Sequence, residues 1–198
     1  VQARYGADMG AADDYTRVIN EGQYRRLRGY IDDARTRGLA VIELAGIDAS
    51  RADAEHLIPP TLIIEPGDDA KVMQDEIFGP ILPIHGYATL DDALAYVERH
   101  DRPLALYPFS DDKATVEKIL HHTLAGGVSV NDTLFHFAIA NLPFGGVGPS
   151  GMGAYHGRAG FDAFSKALPI LWQPRRAGSD LLKPPYSKVA RFIDFIIR

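Results

Sequence analysis

Segments with helical spacing alternate along this chain with short segments that are apolar on both faces. That alternation constrains the fold more than any other property. Asn20 precedes a stretch that puts Tyr24, Leu27, Tyr30 and Ile31 on one helical face, and Gly38 ends it. Residues 39–44 and 61–65 read as strands. Residues 81–87 read as a third, whose internal Pro83 requires an edge position or an irregularity. Thr89 and Asp92 resemble a capping box with a shortened acid, opening a helix through Leu90, Leu94 and Val97. Residues 103–107 form a short apolar strand. Ser110, followed by Asp111 and Asp112, starts a helix with Val116, Ile119 and Leu120 facing inward. Residues 127–131 are a further strand. Apolar strands interleaved with helices predict an α/β fold whose sheet is mainly parallel and helix-covered. After Asn131 the pattern gives way to loop, a short helix over 161–164 and a last strand over 167–172. An exposed linker over 175–185 and an amphipathic helix over 187–198, with Val189, Phe192, Ile193 and Ile196 on one face, complete the reading.

The composition supports a folded core and narrows the partners. Of 198 residues, 46% are hydrophobic and 10% aromatic, enough for a packed interior. Lys and Arg (21) are outnumbered by Asp and Glu (26), for a formal net charge of −5, which argues against nucleic acid as the main partner. No apolar run approaches the roughly 20 residues of a membrane span. There is no cysteine, so these residues hold no disulfide, thiolate metal site or cysteine nucleophile, and a cytoplasmic protein is favoured. The histidines show no metal-ligand spacing. The first residue is Val1, which suggests a chain cut from something longer.

One segment resists explanation by burial. Residues 142–157 contain six glycines, at 145, 146, 148, 151, 153 and 157. Glycine gains little from burial and loses much backbone entropy on folding. Such a segment implies a path only glycine can follow, or main chain packed directly against main chain. Residues 146–151 spell G-x-G-x-x-G, but a proline lies inside, no strand leads in, and Asp162 is too close to serve as the distant acid of a dinucleotide fingerprint. Met152 stands where a hydrolase elbow needs glycine. His136, between Phe135 and Phe137, reads either as a half-buried ring or as part of a pocket wall.

A second segment, Glu76-Ile77-Phe78-Gly79-Pro80, sets an acid, an aromatic ring and a Gly-Pro turn at fixed spacing. A carboxylate can accept hydrogen bonds from two neighbouring hydroxyls, as in the grip on a ribose. Alone, Glu76 reads more simply as a surface acid. Taken in order with Pro103 to Tyr107, Phe109-Ser110, Gly126 to Val128, Asn131-Asp132, Pro143 to Gly148 and Ser150 to Gly153, it resembles the C-terminal part of an NAD(P)-dependent aldehyde dehydrogenase. Tyr155-His156-Gly157 and Phe161 to Ser165 resemble the class 3, fatty-aldehyde and coniferyl-aldehyde branch. The resemblance runs from about Tyr5 to Trp172.

The resemblance implies a reaction. A cysteine thiolate attacks the aldehyde, hydride passes to the nicotinamide of NAD or NADP, and a glutamate-activated water releases the carboxylic acid. It implies that Glu76 binds the nicotinamide-ribose hydroxyls and that Phe78 packs at the nicotinamide end. Thr133, Leu134, Phe135 and His136 would line the aldehyde funnel, and Phe144 with the glycines its adjoining wall. The nucleophile, the general base, the oxyanion asparagine and the dinucleotide-binding domain would lie upstream of Val1, so no catalytic residue is expected here and the isolated chain is expected to be inactive. Residues 1–165 would be a partial catalytic domain. Residues 166–174 would be an oligomerisation strand making a homodimer or homotetramer, and residues 175–198 a linker and tail helix. The substrate would be a hydrophobic, coniferyl-type aldehyde. Two other readings remain, an acylating or phosphate-reducing relative and a non-enzymatic assembly module.

Overall fold

The computed structural model of the chain describes residues 1–175 apart from Ala7 and Asp13, and beyond them Gly178, Ser179, Pro184, Tyr186, Val189, Ile193 and Ile197. The linker and amphipathic helix expected over 175–198 lie largely outside the described residues. The chain forms two compact units, Val1–Ala95 and Tyr96–Arg198.

The first unit is organised by α2 (Glu21–Thr36), which follows the single turn α1 (Gln2–Tyr5). The Asn20 side chain caps α2 by accepting from the Gln23 amide at 2.9 Å. At the other end Gly38 has φ +75°, the Gly38 amide donates to Arg35 O and the Leu39 amide to Ala34 O, both at 3.0 Å. This is a Schellman closure, and it explains the glycine. Tyr24, Leu27, Tyr30, Ile31 and Ala34 form one buried stripe. They pack with Ile58, Ala70 and Val72 and with Ile63 and Ile81 of the sheet. Each such aliphatic side chain contributes about 1.5–3 kcal/mol by leaving water.

That sheet has the order β1 (Ala40–Glu43), β2 (Thr61–Ile64), β3 (Ile81–Ile84). β2 and β3 are parallel, with Thr61 opposite Ile81 and Ile63 opposite Pro83, while β1 is antiparallel to β2. β3 is an edge strand of this sheet, the place a strand proline needs. Between β1 and β2 lies α3 (Ala49–Glu55), a helix the sequence reading did not contain, although Asp48 caps it from the amides of Ser50 and Arg51. Thr89 and Asp92 form the expected reciprocal cap of α4 (Leu90–Arg99): the Thr89 hydroxyl and amide donate to Asp92 Oδ2 at 2.7 and 2.9 Å, and the Asp92 amide donates back to Thr89 Oγ1 at 3.2 Å.

In the second unit β4 (Ala105–Leu106) and β5 (Gly127–Val128) pair in parallel around α5 (Lys113–His122), and α6 (Gly157–Ala163) follows the glycine-dense segment. The α/β architecture is therefore as expected, with parallel pairing in both units. Three local expectations need correction. Asp112, not Ser110, caps α5, because its carboxylate reaches the amides of Ala114 and Thr115 at 3.2 and 3.1 Å. Leu120 does not face inward but is exposed, since α5 presents only Val116, Ile119 and their neighbours as half-buried. Residues 167–172 form no strand within this chain, and Leu168, Ile170, Leu171 and Trp172 are exposed.

Candidate active-site elements

The Glu76 segment sits in the first unit, in the loop between a 3-10 turn (Lys71–Met73) and β3. Its backbone is held from below. Arg26 of α2 donates through Nη1 to Glu76 O at 3.0 Å and through Nη2 to Ile77 O at 2.7 Å. Gly79 lies directly on α2: a Cβ there would fall 2.5 Å from Leu27 Cδ1, and Leu27 is fully buried. Phe78, between these anchors, has φ +47°, a left-handed conformation costing a non-glycine residue about 1–2 kcal/mol. Phe78 is 83% exposed. The Glu76 side chain is exposed, and its carboxylate has no hydrogen-bond partner among the described residues.

Beside Phe78 runs a cavity of about 390 Å³, lined by Tyr15 to Ile19, Gln23 and Phe78 to Pro80. The lip 15–19 is irregular, and its contacts with the body of the unit hold it in place. The Tyr15 hydroxyl donates to Ile58 O at 2.6 Å, the Val18 amide to His56 O at 3.0 Å, and Arg17 pairs with Glu55 at 2.7 Å. Burial pushes the Tyr15 phenol up to about 12, and the arginines 51 and 17 bring the Glu55 carboxyl down to about 2.

The remaining predicted residues belong to the second unit. Phe144 and Tyr155 exchange backbone hydrogen bonds at 3.0 and 2.9 Å, closing the glycine-dense loop at its base. Inside, main chain touches main chain. A Cβ on Gly126 would lie 2.1 Å from Gly145 O, and one on Gly146 would lie 2.1 Å from Ser150 O. Gly148, by contrast, has open space around it but φ +62°. Ser150 braces the turn, its hydroxyl accepting from the Val147 amide at 2.9 Å and donating to Val147 O at 3.1 Å. Phe144, Gly145, Gly146, Gly151, Gly153, Met152, Tyr155 and Phe164 surround an apolar cavity of about 320 Å³.

Thr133, Leu134 and Phe135 are exposed at the start of a 3-10 turn (Phe135–Ala138), with Leu134 at φ +70°. Of the predicted funnel residues, Phe144 lines the cavity and these three do not. His136 departs from the half-buried ring between Phe135 and Phe137. It is 6% exposed and packs between Tyr107 and Phe144, with ring centroids at 5.8 and 5.6 Å, while Gly127 clears space beneath it. Neither ring nitrogen has a hydrogen-bond partner among the described residues. The reason is the turn, which swings residues 135 and 137 outward and 136 inward. Asn131, quoted in the sequence only as part of a motif, acts as a bracket: it accepts from the Ser110 amide at 2.8 Å and donates to Ser110 O at 3.0 Å. Nothing local in the sequence announces that pairing across 21 positions.

The aldehyde dehydrogenase family pattern matches residues 1–168, and the chain belongs to that family. Among its curated relatives is a "Probable coniferyl aldehyde dehydrogenase" of Caulobacter vibrioides, 50% identical over 193 residues, covering 96% of this chain and 40% of the relative. Among solved structures, the substrate-bound state of Staphylococcus aureus AldH aligns over 100% of this chain and 42% of its own, at 35% identity and TM-score 0.75. Aldehyde dehydrogenase C of Pseudomonas syringae, complexed with NAD+ and octanal, aligns over 75% of this chain and 30% of its own, at 25% identity and TM-score 0.65. The chain thus spans about 40% of the length of the first of these relatives. No described helix is long and apolar enough to cross a membrane.

Proposed function

We propose that this chain forms part of the catalytic domain of an NAD(P)-dependent aldehyde dehydrogenase that oxidises a hydrophobic, coniferyl-type aldehyde to the carboxylic acid. The observation that carries the reading is the Glu76 carboxylate, unpaired among the described residues, held on a backbone fixed by Arg26 and Leu27 and set two residues from an exposed ring. A carboxylate without a partner fits a sugar diol, and an exposed phenyl fits a planar heteroaromatic face. NAD or NADP, when bound, supplies the hydride acceptor. Glu76 orients it through the ribose hydroxyls, and Phe78 limits where its reactive ring can rest. In the second unit, Phe144 and the glycine loop form an apolar wall for the aldehyde; Thr133, Leu134 and Phe135 are proposed to stand exposed along its approach, and His136 to back the wall from behind Phe144. The nucleophile must come from residues outside these 198, which hold no cysteine. The relative's name supports a coniferyl-type substrate.

The test joins this chain to the upstream part of the family's sequence and follows NAD(P) reduction with an aromatic aldehyde. Glu76→Gln removes a charge-assisted hydrogen bond worth about 1.5–3 kcal/mol. The KM for the cofactor should rise about 10- to 100-fold, with the aldehyde KM little changed. An unaltered cofactor KM would sink the assignment. Residues 166–174 are proposed to pair with a neighbouring subunit, since Leu171 and Trp172 are about nine-tenths exposed here. A monomer in light scattering would refute that.

A further inference from the structure

We infer that Arg26 is a positioning residue for the cofactor clamp: one guanidinium on α2 sets the backbone from which Glu76 and Phe78 project. The inference rests on the proposed role of Glu76 and deepens it. Arg26 comes from a helix 50 positions earlier in the chain than Glu76, and it uses its donors in four directions. Nε donates to Gln23 Oε1 at 2.7 Å and Nη1 to the Tyr30 hydroxyl at 2.7 Å, which lock the fork on its own helix. The remaining contacts, from Nη1 to Glu76 O and Nη2 to Ile77 O, grip two successive carbonyls of the clamp. A planar fork suits this task, whereas an ammonium could not hold two carbonyls and two side chains in one plane. Tyr30, which is buried, passes its own hydrogen bond on to Asp75 Oδ2 at 3.4 Å, so residues 75, 76 and 77 are all tied to one face of α2.

The grip has a definite function in the backbone. Phe78 must remain in the left-handed region for its ring to stand out into solvent, and the residue has no turn-forming side chain to favour that conformation. Fixing the carbonyls of 76 and 77 on one side and seating Gly79 on Leu27 on the other leaves residue 78 no alternative path. Arg26 touches neither the Glu76 carboxylate nor the Phe78 ring. Its effect reaches the cofactor only through their placement.

The experiment uses the joined, full-length polypeptide with NAD+ as the probe. Arg26→Met should raise the KM for NAD+ about tenfold, equivalent to 1.4 kcal/mol, and leave the aldehyde KM unchanged. Arg26→Lys should recover part of the loss, and Arg26→Gln serves as the second variant if the methionine form does not fold. A merely stabilising arginine would lower the melting temperature without moving the cofactor KM measured well below it, and that result overturns the inference. The Arg26→Met/Glu76→Gln double variant should lose less than the sum of the two single losses, because Arg26 acts in part through the Glu76 contact. Additive losses would place the effect of Arg26 elsewhere and refute it. If Glu76→Gln itself changes nothing, the clamp reading fails. If Glu76→Gln acts and Arg26→Met does not, only the positioning role fails.

Discussion

Gly146 and Gly148 stand two residues apart in the same loop, yet the structure requires glycine at each for a different reason, and alanine substitution separates them. At Gly146 a Cβ would meet Ser150 O at 2.1 Å, Ser150 C at 2.2 Å and the Gly151 amide nitrogen at 2.4 Å. These are backbone atoms, so no side chain can rotate away. The turn must open by about 1 Å, a strain costing about 1–3 kcal/mol. Opening also endangers the hydrogen bonds of the Val147 amide to Ser150 Oγ (2.9 Å) and of the Gly151 amide to Gly148 O (3.1 Å). Each contributes about 1 kcal/mol. Gly146→Ala should therefore destabilise the second unit by about 3–5 kcal/mol. At Gly148 the added methyl meets nothing within 4 Å, and the whole cost is the positive φ of +62°, about 1–2 kcal/mol. Thermal unfolding followed by circular dichroism should show melting temperatures lowered by about 15–25 °C and about 5–10 °C respectively, at about 5 °C per kcal/mol. Amide exchange over 142–157 assigns the loss to the loop. Equal effects, or a larger one at Gly148, would refute the claim that crowding of main chain on main chain is what this segment encodes.

Two further outcomes follow from groups away from the loop. Tyr15 and Tyr24 have phenols raised from 10.0 to about 12, mainly by burial, with Tyr24 also donating to Asp53 at 2.7 Å. A raised folded value means that their contribution to stability is fully present below pH 10 and is lost as pH rises through about 12. Tyr15 and Tyr24 should thus ionise later in the native chain than in urea; for either phenol, the same titration in both states would contradict the packing. His136→Leu removes a buried ring whose nitrogens lack partners among the described residues, and should stabilise the chain by about 1–2 kcal/mol in chemical denaturation. A loss of that size would mean the imidazole is hydrogen-bonded after all.

Much of the fold was legible because its signals are local. Asn20 with its inward stripe specified α2, Gly38 its end, and Thr89 with Asp92 the start of α4. Each depends on side chains within five residues, where spacing and hydrogen-bond geometry coincide. Residues 48–55 carried the same kind of cap but only seven helical positions, too few for a periodic apolar face, so α3 went unread. The choice between Ser110 and Asp112 as the cap of α5 turns on which side chain meets two free amides, and that depends on the entry angle of the chain.

The sequence by itself determined the alternating α/β order, the family and the two unusual segments at 76–80 and 142–157. Tertiary structure alone decided what those segments do physically. It brought Arg26 across 50 positions to the carbonyls of Glu76 and Ile77, turned His136 inward while exposing its neighbours, and divided the glycines between crowding and positive φ. The reason is one of range: caps and periodicity are encoded between neighbours a few residues apart, whereas a guanidinium finding a distant carbonyl, or one backbone resting on another, exists only after the core has brought the segments into contact.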